Sequence, residues 1–139
     1  MQLKRYWGQA LGFPTGAAVL VLLIAGAEAR PHAIAASQEA LIATITLRSG
    51  GMGNAVERQR IVALEHQLSS AIEQSRAGKL DGDEFGGGVC TIYLYGPSAH
   101  RLFEIVLPIL RDFRPPAGSY VIKRYGGPGS KEDRVSLGE

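Results

Sequence analysis

Gly78–Pro97, GKLDGDEFGGGVCTIYLYGP, is the stretch that decides the fold. Its second half alternates without a break: Cys90, Ile92 and Leu94 fall on one side, Thr91, Tyr93 and Tyr95 on the other. Period two with β-branched and aromatic residues predicts a half-buried strand over Val89–Tyr95. Lys79–Phe85 reads as a short, poor strand, and Gly86-Gly87-Gly88 supplies the turn between them. A hairpin in mid-chain requires partners for its two strands, and the flanking sequence offers them.

Upstream, Leu41–Arg48 alternates in the same way, with Leu41, Ala43, Ile45 and Leu47 opposed to Ile42, Thr44, Thr46 and Arg48. Between that strand and the hairpin, Asn54 and Glu57 stand three residues apart, the spacing of a reciprocal helix cap. Ile61, Leu64, Leu68, Ala71 and Ile72 then recur at helical spacing, and Gly78 offers a left-handed stop. Downstream, Ser98 is an N-cap candidate for a second helix with the stripe Leu102, Val106, Ile109, Leu110 and Phe113. Pro108 interrupts that helix and should kink it. Tyr120–Tyr125 closes the series as a last strand. The order βαββαβ is the ferredoxin-like arrangement, an α+β fold in which two helices cover one face of a four-stranded antiparallel sheet.

The ends lie outside that body. Lys4 and Arg5, the apolar run Ala17–Ala27 and the small-x-small triplet Ala27-Glu28-Ala29 have the parts of a secretory signal peptide, with cleavage after Ala29. The competing readings are an uncleaved anchor through residues 11–29, which would put the domain outside the membrane, and a true translation start further on. The chain therefore divides into residues 1–29 as signal peptide or anchor, 30–40 as tether, 41–125 as the domain and 126–139 as a Gly-rich flexible tail. The 139 residues carry a net charge of +2, and removal of Lys4, Arg5 and Glu28 leaves 13 basic and 12 acidic residues. So even a balance argues against a nucleic-acid-coating protein. One cysteine excludes an internal disulfide and a Cys-rich zinc site.

Three stretches, Gly78–Gly86, Tyr93–Pro97 and Lys123–Gly129 (KRYGGPG), resemble a family of short, uncharacterised bacterial proteins across roughly the last two-thirds of the chain. That family has no established activity, so the resemblance implies no catalytic residue, cofactor or metal.

The candidate reactive groups read as structural. Asp81, Asp83 and Glu84 begin like a calcium loop but lack its later ligands, which favours a solvated hairpin. Gly126-Gly127-Pro128-Gly129-Ser130-Lys131 departs from a phosphate loop, because Lys follows Ser and no helix pattern comes after it. Cys90 alternates with Ile92 and Leu94 and so should face the core, where a thiol is inert. His32, His66 and His100 are too dispersed for a metal site.

The uncovered sheet face is the better candidate. Tyr93, Tyr95, Thr44, Thr46, Arg48, Lys123 and Tyr125 are expected to share it, with Arg124 as the alternative to the Lys123–Tyr125 pair. Tyrosine buries area while keeping a polar tip, which suits a protein interface. Aromatic residues beside cations on such a sheet also suit RNA, but the RNA-binding signature is missing and the charge is near zero. The sequence thus ranks a non-catalytic module contacting a protein partner or a second copy first, exported or facing outward. A cytoplasmic nucleic-acid-linked regulator comes second, and a metal binder or enzyme using the acidic hairpin third.

Overall fold

The structure, a computed structural model, describes residues 38–138. The expected leader and most of the expected tether lie outside the described residues. The elements run β1 (Glu39–Thr46), α1 (Ala55–Gln74), β2 (Lys79–Gly86), β3 (Val89–Gly96), α2 (Ala99–Phe113), β4 (Tyr120–Arg124) and β5 (Glu132–Ser136). The strands form one antiparallel sheet in the order β2-β3-β1-β4-β5. This is an α+β fold of two helices and five strands, in the order βαββαββ.

The alternation in β1 and β3 works as the sequence implies. Leu41 pairs with Leu94, Ala43 with Ile92 and Ile45 with Cys90, and all six are buried. Val121 of β4 lies beside Ala43 on the same side. Ile61, Leu64, Leu68 and Ile72 of α1 and Leu102, Val106 and Leu110 of α2 close over these residues in a single core. Among the described residues no helix is long and apolar enough to cross a membrane.

α1 begins with a complete capping box. The Asn54 side chain accepts from the Glu57 amide at 2.9 Å, and the Asn54 amide donates to Glu57 Oε2 at 3.1 Å. Its other end differs from expectation. Arg76, not Gly78, takes the left-handed conformation (φ 51°), with Arg76 N–H donating to the Glu73 carbonyl and Ala77 N–H to that of Ile72. Gly78 is required for another reason: a Cβ there would overlap the Tyr95 carbonyl oxygen, where the start of β2 lies tight against the end of β3. Ser98 caps α2 through the Arg101 amide at 3.2 Å. Glu39, from the far end of β1, accepts from the Ala99 amide at 2.6 Å and sets a carboxylate at the positive end of that helix. Pro108 is accommodated on the exposed side of α2, which runs on to Phe113.

Several expectations need correction. The sheet has five strands, because the stretch expected as a flexible tail supplies β5. Val135 pairs with Val121, and the ladder is extended by Leu137 N–H donating to the Ser119 carbonyl at 2.9 Å. β5 escaped notice because an edge strand carries charges that discourage further pairing, and EDRVS has one apolar residue in five. β1 starts and ends two residues earlier than its apolar pattern, which leaves Arg48 in the loop beyond it. β2 is a full eight residues and carries a register shift between Leu80 and Gly82.

Candidate functional site

The register lays out the side of the sheet away from the helices in rows across the strands. Lys79, Tyr95, Ala40, Arg124 and Glu132 form the first, running from β2 through to β5. Gly82, Tyr93, Ile42, Ile122 and Arg134 form the second. Glu84, Thr91, Thr44, Tyr120 and Ser136 form the third. The middle of this face is apolar and aromatic, with Ile42, Tyr93, Tyr95 and Ile122 half-buried among their neighbours. The outer strands β2 and β5 carry the exposed charges Lys79, Glu84, Glu132 and Arg134.

Two of the tyrosines on this face are held internally. Tyr93 Oη donates to Glu84 Oε2 at 2.9 Å, and that acceptor pushes the phenol pKa up, because ionising the phenol would forfeit the bond. The Arg134 guanidinium lies 3.6 Å from the centre of the Tyr120 ring.

Of the residues expected on this face, Tyr93 and Tyr95 are at its centre, and Thr46 closes its end beside Val89. The Thr46 amide donates to Ser119 Oγ at 2.9 Å. Arg48 is off the sheet: its amide donates to Glu57 Oε1 at 2.6 Å, and it lines a small cleft with Arg60, Phe113 and Pro116. Lys123 and Tyr125 are on the opposite side. Lys123 pairs with Leu41, its side chain is only 15% exposed, and its Nζ sits 5.3 Å from the Phe103 ring of α2. Tyr125 Oη donates to Asp133 at 2.8 Å, and Lys123 Nζ lies 3.9 Å from the same carboxylate. Arg124 is therefore the residue that faces outward. Ile42 is on the side of β1 that the alternation assigns it, though it was not counted among the site residues; Ile122, Tyr120 and Arg134 were missed. In β4, Tyr120, Val121 and Ile122 follow one another without a polar break, so the strand has no alternation to show which of them faces the helices.

The other candidate chemistry is dispersed. The pleat and the register shift separate the acidic hairpin: Asp83 pairs with Ile92 on the helix side, Glu84 with Thr91 on the side away from the helices, and Asp81 sits at the shift, 3.5 Å from Lys79 Nζ. Among the described residues no group of three or more metal-ligating side chains converges. The Cys90 thiol is buried, and that burial pushes its pKa up to about 12, with Asp83 and Glu65 adding to the effect. His66 is exposed on α1, and His100 lies 3.3 Å from Glu104 on α2.

No family model, curated protein or solved structure matches the chain.

Proposed function

We propose that this is a non-catalytic binding module of the ferredoxin-like type, lengthened by one edge strand, which works by protein–protein contact through its open sheet face. The row Gly82–Tyr93–Ile42–Ile122–Arg134 is the observation that carries this reading. It forms an aromatic and β-branched centre, and the exposed charges Lys79, Glu84, Glu132 and Arg134 on the two outer strands make a rim around it, the anatomy of a protein interface. The inert thiol and the divided carboxylates support a binding role over a catalytic one. RNA ranks below protein because Glu84 occupies the Tyr93 hydroxyl, Arg134 already covers Tyr120, and the rim mixes both signs of charge. The leader reading places the module outside the cytoplasmic membrane. A mature N-terminus at Arg30 supports that placement, and one near Leu41 supports a cytoplasmic protein.

A photo-cross-linking residue at position 122 should capture protein in cells, while the same residue at Val62, exposed on α1, should capture none. Tyr93→Ala combined with Tyr95→Ala should abolish the adduct and leave the far-ultraviolet circular dichroism unchanged. Equal capture from both positions would refute the reading. Binding of homopolymer RNA by the unmodified chain, lost in the double variant, would move the assignment to nucleic acid.

A further inference from the structure

The open face is self-complementary about β1, and we infer that its partner is a second copy of this chain, stacked sheet to sheet about a two-fold axis running along β1. The inference rests on the protein-binding reading above and names the partner. β1 is the middle of five strands, so such an axis sets β2 over the partner's β5 and β3 over the partner's β4. A two-fold interface uses the same patch twice, so each residue must suit the residue it meets. Within the first row, Lys79 then faces a copy of Glu132, and Tyr95 faces a copy of Arg124. Within the second, Tyr93 meets Ile122 and Ile42 meets itself on the axis. Glu84, in the third row, comes beside Arg134 one row away. Opposite charges meet at both rims, a cation meets an aromatic ring, and apolar side chains meet at the centre. A two-fold axis across the strands would instead stack Arg134 on Arg134, a like-charge contact that costs affinity. Two sheets packed in the aligned manner fit the first arrangement.

Sedimentation velocity of the full chain should show a dimer. Lys79→Glu and Glu132→Lys should each weaken it by at least about tenfold, and the two together should restore it. That rescue requires the two positions to face one another between identical chains. Ile42→Cys should give a cross-linked homodimer with a short bifunctional thiol reagent, since packed sheets lie about 10 Å apart, too far for a direct disulfide. Val62→Cys should not, and the buried Cys90 leaves the background clear. A monomeric full chain, or a charge-swapped pair that fails to recover the dimer, overturns the inference. A monomeric chain that still yields an adduct with a different protein from position 122 overturns the homodimer while leaving the binding face standing. A monomer with no adduct removes both.

Discussion

Glu57 closes the loop between β1 and α1 with a single carboxylate. It accepts from the Arg48 amide at 2.6 Å, the Ser49 amide at 3.3 Å, the Ser49 hydroxyl and the Asn54 amide. These donors, the Ser49 hydroxyl foremost, hold its pKa down at about 2 against an ordinary 4.5. A carboxyl that is more acidic folded than unfolded stabilises the fold fully above pH 4.5, and this is lost as pH falls from there towards about 2. Glu57→Gln should therefore flatten the fall of the urea midpoint across that window, and an unchanged acid profile would show that the carboxylate is not what holds the loop. The sequence made half of this visible. Asn54 and Glu57 announce a capping box by spacing alone, whereas the bonds to Arg48 and Ser49 depend on where β1 ends.

At the scale of elements, α1 was the most legible, because both its cap and its stripe are written within one helix. The edges of the sheet were the least. β5 owes its existence to Val135 lying beside Val121 and to the Tyr125 amide donating to the Lys131 carbonyl, contacts that no local pattern records. It also sits at the edge, paired on one side only, so its amides should exchange with deuterium well before those of β1, which is paired on both sides. Val135→Ala removes two methyl carbons from a half-buried position packed against the core and should cost about 1 kcal/mol, read from denaturant unfolding. Equal protection of β1 and β5 would overturn that order of exchange. β4 makes the same point about direction: with apolar residues at three successive positions, only its pairing with β1 sends Lys123 towards α2 and Arg124 outward.

Across residues 38–138 one hydrophobic core joins both helices to one side of the sheet. Ile92→Ala on β3 and Leu64→Ala on α1 should each cost about 2–5 kcal/mol and lower a single shared unfolding midpoint, measured by fluorescence and circular dichroism together. Midpoints that separate between the two probes would mean that helices and sheet unfold independently. The amino-acid pattern alone is enough to read the α1 capping box, the inward and outward sides of β1 and β3, the burial of Cys90 and the order of the first six elements. Those features rest on period and spacing within a few residues, which the chain carries locally. Three features emerge only from strand pairing: a charged C-terminal stretch is a strand, Arg124 rather than Lys123 faces outward, and the acidic hairpin is divided between two faces. Each of these depends on pairing register between distant segments, and shifting a strand by one residue exchanges its two faces.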